Sequence, residues 1–144
     1  MKDELFLIDS NILVYAHDTS DIIKNKKSIK LLEDCWNDKN RFAISLQNLS
    51  EFYVVVTKKI KNPLEKNEAK KIIKEILEFK NWIKLTAKES TIIKAIELLE
   101  KHETNYYDSL IAATMLENGI TKIYTENVKD FIRIKEIEVI NPFN

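Results

Sequence analysis

A chain of 144 residues with a hydrophobic fraction of 44% has the size of one globular domain, large enough to bury a core without staples. Its 23 basic and 23 acidic residues cancel, which argues against a broad electrostatic grip on duplex DNA but leaves room for a basic rim around an acidic centre. Having one glycine, Gly119, it lacks the Gly-rich loops of P-loops and dinucleotide folds, and kinase, ATPase and Rossmann dehydrogenase readings lose their basis.

The lone Cys35 forms no internal disulfide, and its place beside Leu31, Leu32 and Trp36 reads as a buried structural thiol. No stretch approaches the ~20 apolar residues of a membrane span. Nothing resembles a secretory signal, so a cytoplasmic protein is the expectation.

In chain order, Leu5–Ile8 is an unbroken apolar run, as in a strand buried on both faces of a parallel sheet. A helical pattern over about 21–39 puts Ile29, Leu32 and Trp36 on one face. Arg41–Ile44 reads as a second strand, after which Ser45 caps a helix carrying Leu46, Leu49, Phe52, Tyr53 and Val56. Asn62-Pro63 breaks that helix. The next, about 65–80, turns Ala69, Ile72, Ile73 and Ile76 inward. Trp82–Leu85 alternates like a strand, followed by a helix marked by Ile92, Ala95, Ile96 and Leu99. Tyr107–Glu117 is a further helix, with Gly119 as its stop. Lys122–Thr125 and Glu138–Ile140 are the last strands. Five strands interleaved with helices predict a single three-layer α/β/α domain over residues 1–144, with a mostly parallel five-stranded sheet.

Polar clusters fall at the ends of these elements. Asp9-Ser10-Asn11 follows the first strand, where open α/β sheets bind ligands. Glu51 sits on a helix that is apolar nearly all round just beyond it, a costly place for an unpaired carboxylate. Asp108 opens a helix behind Asn105, a spacing like a capping box. Thr125, Asn127 and Asp130 follow the fourth strand. Each has an ordinary structural reading as cap, turn or exposed residue. Together they describe crowded carboxylates whose repulsion a hard divalent cation would relieve, and Mg²⁺ or Mn²⁺ prefers such oxygen ligands.

The chain resembles the PIN-domain nucleases, and within them the VapC-type toxins of toxin–antitoxin pairs, over essentially its full length. Asp9-Ser10-Asn11-Ile12-Leu13 looks like the family's opening motif, Ser50-Glu51-Phe52 its second, and Tyr107-Asp108-Ser109-Leu110-Ile111-Ala112-Ala113 its third. The ending Val139–Phe143 is also similar. Many members carry aspartate two residues after the threonine, where this chain has Asn127. Asp130, before Phe131, is then the expected fourth acid, with Asn127 assisting through its carbonyl oxygen.

The resemblance implies an endoribonuclease. Asp9, Glu51, Asp108 and Asp130 would hold Mg²⁺, with Mn²⁺ able to substitute, and a metal-activated water would attack phosphorus in line. Ser10, Asn11 and Thr125 would position ligands, water or the scissile phosphate. Neither His17 nor His102 is needed. Lys24, Lys26, Lys27 and Lys30, or Lys58, Lys59 and Lys61, would approach RNA phosphates unless they are merely solvated helix faces. The resemblance also implies a homodimer and a cognate antitoxin, for which Ile22, Ile23, Leu31 and Trp36 would supply a groove. The main competing expectation is a non-catalytic PIN module that binds RNA or a protein. A phosphate-accepting receiver or haloacid-type phosphatase fits less well, since Asn11 stands where the phosphatase needs a second aspartate.

Overall fold

A computed structural model describes residues 4–144. β1 (Phe6–Ile8) is the middle strand of a five-stranded sheet with the order β3-β2-β1-β4-β5. Its partners are β2 (Phe42–Ser45), β3 (Trp82–Leu85), β4 (Lys122–Tyr124) and β5 (Glu138–Ile140), and every pairing is parallel. Leu7 lies in register with Ala43 and Ile123.

The apolar run of β1 is explained by two cores rather than one. Leu7 joins Ala43 and Ile123 in a cluster with α5 (Glu89–His102) and α6 (Tyr106–Glu117). Ile8, its neighbour, points the other way, into a cluster with α1 (Ser10–His17), α2 (Ile22–Trp36), α3 (Leu46–Lys58) and α4 (Lys66–Glu78). Alternate residues of a strand face opposite sides of the sheet, so both faces need apolar side chains. Leu7 and Ile8 are both 0% exposed, each worth roughly 1.5–3 kcal/mol of burial.

The cap readings hold in detail. Ser45 ends β2 and caps α3 through a reciprocal box with Asn48. After α6 the chain enters the left-handed region at Gly119 (φ 71°), with Gly119 N–H donating to Leu116 O (3.1 Å) and Ile120 N–H to Met115 O (3.0 Å). That pair closes the helix and delivers the chain directly into β4. Cys35 is fully buried, and burial pushes its thiol up to about 11, which makes it inert.

Some expectations need correction. The second strand begins at Phe42, not Arg41. α5 buries Thr91, Ala95 and Leu98, while Ile92, Ile93 and Ile96 are exposed. The isoleucine pattern marked the helix but not its buried face, which is set by packing with α6 in a core floored by the small Ala112 and Ala113. On α2, Ile29 and Trp36 are partly exposed although Leu32 is buried. Asn105 caps α6 by accepting from Tyr107 N–H (2.9 Å), and Asp108 returns no bond to it.

Candidate active site

The strand order reverses direction at β1, and the crevice beside such a reversal, at the strands' carboxyl ends, is where open α/β sheets place their sites. Asp9 leaves β1 there and Thr125 leaves β4 beside it. The Asp9 carboxylate is 4% exposed and accepts four hydrogen bonds. Oδ1 takes Ser10 N–H (2.8 Å) and Asn48 Nδ2 (3.1 Å). Oδ2 takes Thr125 Oγ1 (2.7 Å) and Asn11 Nδ2 (3.2 Å). Asp9 is therefore the α1 cap and the hub of the site at once.

Asn11 links the two crossing segments. Its Nδ2 also donates to Thr125 Oγ1 (3.2 Å), and its Oδ1 accepts Glu126 N–H (3.2 Å). Glu126 is in turn tied down by Tyr15 Oη (2.8 Å) and by an ion pair with Lys24. Lys24 rests over the rings of Tyr15 and Phe143, so this lysine, partly exposed at the surface, is held against the site's frame.

Glu51 is brought in from α3. Ser10 Oγ donates to its Oε2 (3.1 Å) and Gln47 Nε2 to its Oε1 (3.0 Å), while Gln47 also reaches Tyr107 O (3.3 Å). Asp108, in the first turn of α6, is half-buried, and among the described residues its carboxylate has no hydrogen-bond partner. Asp130 lies exposed in the single-turn α7 (Val128–Phe131), which Asn127 precedes. Asn127 engages the site through its backbone N–H, donated to Thr125 Oγ1 (3.0 Å).

Electrostatics joins the four acids. Burial raises Asp9 above the ordinary carboxylate range; the bonds from Thr125 and Ser10 oppose that rise, and the charges of Glu51 and Asp130 add to it. Asp108 is pushed up from 3.8 to about 7, first by burial, then by Asp130, Asp9 and Glu51. Four carboxyl groups thus feel one another's charge. Among the described residues no three His, Cys, Asp or Glu side chains converge tightly enough to bind one ion together. Mg²⁺ takes only one or two carboxylates directly and keeps several waters, so this oxygen-only set fits a hydrated hard cation.

The histidines stand apart. His17 ends α1 with its ring edge-on to Phe52 (5.8 Å), and burial lowers its pKa. His102 ends α5 against Glu136 (2.7 Å).

A family model of the PIN domain matches residues 6–137. The chain belongs to the PIN-domain family. A comparison with curated proteins finds no match. Among solved structures, this PIN domain is similar to VapC20 of Mycobacterium tuberculosis, a toxin that cleaves the sarcin–ricin loop (15% identity, TM-score 0.68, covering 90% of this chain and 94% of that one). It is similar to a chain of VapBC2 from Rickettsia felis bound to a promoter DNA fragment (24%, 0.66, 95% and 98%). A chain of VapBC-1 from nontypeable Haemophilus influenzae gives 19% identity and a TM-score of 0.64, with coverage of 97% and 99%. At these identities the likeness is one of fold.

Asn48 is the site residue that the sequence motifs miss. Its signal was the spacing Ser45-x-x-Asn48, a cap pair on the helix that starts beside the end of β1. Tyr15 and the side chain of Glu126 carried no local signal at all.

Proposed function

We propose that this PIN domain is a Mg²⁺- or Mn²⁺-dependent endoribonuclease, the toxin of a VapC-type toxin–antitoxin pair, working in the cytoplasm. The observation that carries the proposal is the buried Asp9, held by four donors while three further carboxylates crowd towards it. Such an arrangement raises its own carboxylates' pKa values and is relieved by a cation.

Asp9, Glu51, Asp108 and Asp130 would hold the metal, directly or through water. When bound, it supplies positive charge to a phosphodiester oxygen and helps a water become nucleophilic. The chain's own residues do the rest. Ser10 and Gln47 aim Glu51, and Thr125, Asn11 and Asn48 fix both oxygens of Asp9. Asp108, without a bond of its own, is free to turn towards a ligand.

The named assemblies of the structural relatives support an antitoxin partner, and the exposed Ile22 and Ile23 at the start of α2 offer it apolar surface. A second copy of the chain is the proposed dimer partner, with Ile92, Ile93 and Ile96 of α5 as exposed apolar surface. Among the described residues no helix is long and apolar enough to cross a membrane.

The test is cleavage of a mixed panel of fluorescent RNAs by partner-free protein with Mg²⁺, Mn²⁺ or EDTA, alongside D9N and D108N. Cleavage that needs metal and disappears in both variants is the expected result. A wild type that neither cuts RNA nor binds Mn²⁺ by calorimetry would leave the non-catalytic module as the reading.

A further inference from the structure

A cleft of about 440 Å³ adjoins the acidic centre without any of the four acids lining it, within the roughly 300–1,000 Å³ of small-ligand sites. Ser10, Asn11 and Asn127 form the wall it shares with that centre. Beyond them it is floored by the apolar Val14, Val55 and Ile60 and the ring of Tyr15. Its rim carries Lys59 and Lys61, where α3 ends and the chain turns. Among the described residues neither lysine has an ion-pair partner, in contrast to Lys24. The one acid on the wall, Asp18, is buried and engaged by Ser20 N–H (3.1 Å) and Ser20 Oγ (2.7 Å).

Resting on the nuclease reading, we propose that this cleft is the subsite for the nucleotide adjoining the scissile phosphate of a single-stranded RNA. The chemistries gathered around it match that ligand. Acids suited to a cation stand where the reacting phosphate belongs. An apolar floor with one aromatic ring follows for a sugar and base, and two unpaired cations then meet the next phosphate. A second wall-to-phosphate interaction comes from the Asn127 side-chain amide, which no described residue occupies. An apolar protein segment would leave both lysines unmatched, and the paired, stacked bases of a duplex are not free to lie on an aromatic ring as those of a single strand are.

The experiment compares wild type, K59Q/K61Q and K59R/K61R on a fluorescein-labelled single-stranded oligoribonucleotide, with Mn²⁺. Glutamine avoids setting an acid against the negative end of α3. Expected for K59Q/K61Q are a KM raised about tenfold, kcat within about twofold, unchanged Mn²⁺ affinity by calorimetry and an unchanged melting temperature. The slope of log affinity against log salt should flatten by about 0.7, the value for one single-strand phosphate neutralised. K59R/K61R should keep wild-type KM. A wild type that cuts while K59Q/K61Q shows the same KM and salt slope overturns the subsite and leaves the nuclease standing. Unchanged RNA parameters with weakened self-association by ultracentrifugation would give the cleft to a protein contact instead. A wild type that neither binds nor cuts RNA overturns the nuclease reading and the subsite with it.

Discussion

Asn48 and Asp9, 39 positions apart, are joined by a buried hydrogen bond of 3.1 Å from the amide of one to the carboxylate of the other. The same Asn48 side chain accepts Ser45 N–H (3.3 Å) and Ser45 Oγ (2.8 Å), so one fully buried amide both closes the entry of α3 and orients the central acid. N48A is expected to lower Mn²⁺ affinity about 10- to 100-fold, the usual loss when a group supporting a metal ligand is removed. It should also cost about 1–2 kcal/mol of stability through the lost cap. Calorimetric titration and thermal melts read the two effects separately; unchanged metal affinity would reduce Asn48 to a cap.

Asp108 sets a pH dependence whose sign can be worked out. Its folded pKa of about 7 lies above the ordinary 3.8, so between those values the folded protein holds a proton that the unfolded chain has lost. Stability therefore falls as pH rises through that window. Asp9, also raised, contributes in the same direction. Metal-free wild type should lose more melting temperature than D108N between about pH 4.5 and about pH 8, spanning most of that window. Added Mn²⁺ should recover the loss at the higher pH in wild type alone. Parallel pH profiles for the two proteins would show that Asp108 is not perturbed.

Glu126 is tested through the site rather than through the fold. Its side chain meets Tyr15 and Lys24 at the surface, where ion pairs contribute at most about 1 kcal/mol. Its backbone N–H, however, sets the direction of the Asn11 amide and so the bond from Asn11 to Asp9. E126A should melt within a few degrees of wild type yet bind Mn²⁺ about tenfold more weakly. Loss of stability with metal affinity intact would make the clamp purely structural.

Ser28 is a liability distinct from the site. Its hydroxyl is fully buried within α2 and has no hydrogen-bond partner among the described residues. S28A removes an unmatched polar group and inserts the best helix former, so a gain of about 1 kcal/mol is expected. For a chain of this length that is roughly 3–6 °C in melting temperature. A variant that melts lower would mean that the hydroxyl is satisfied in solution.

The sheet was legible because β1 and its neighbours are apolar where both faces are covered, and because Ser45 and Gly119 carry their own backbone chemistry. Asp9 and Asp108 were legible from their places after a strand and in the first turn of a helix, whereas Glu51, a turn into α3, is brought beside them only by the tertiary fold. The α5 face was not legible. Ile92, Ala95, Ile96 and Leu99 marked a helix without fixing its inward side; it buries Thr91 and Ala95, and only the tertiary partner decides that small residues win. The sequence left Lys24 as either a solvated helix face or a phosphate contact, whereas its role depends on Glu126, 102 positions away, a pairing that no local pattern encodes. Asn48 fell between these cases: its cap role was visible, its reach to Asp9 was not.

The bond from Thr125 to Asp9 spans 116 positions, and β1 has β4 as one of its two neighbours in the sheet. A nascent chain that has emerged only as far as α6 therefore carries Asp9, Glu51 and Asp108 with an empty flank beside β1 and no threonine on Oδ2. The threonine bond to Asp9 forms only when the last fifth of the polypeptide has been synthesised and docked. On the nuclease reading, fragments that end at α6 should be inactive.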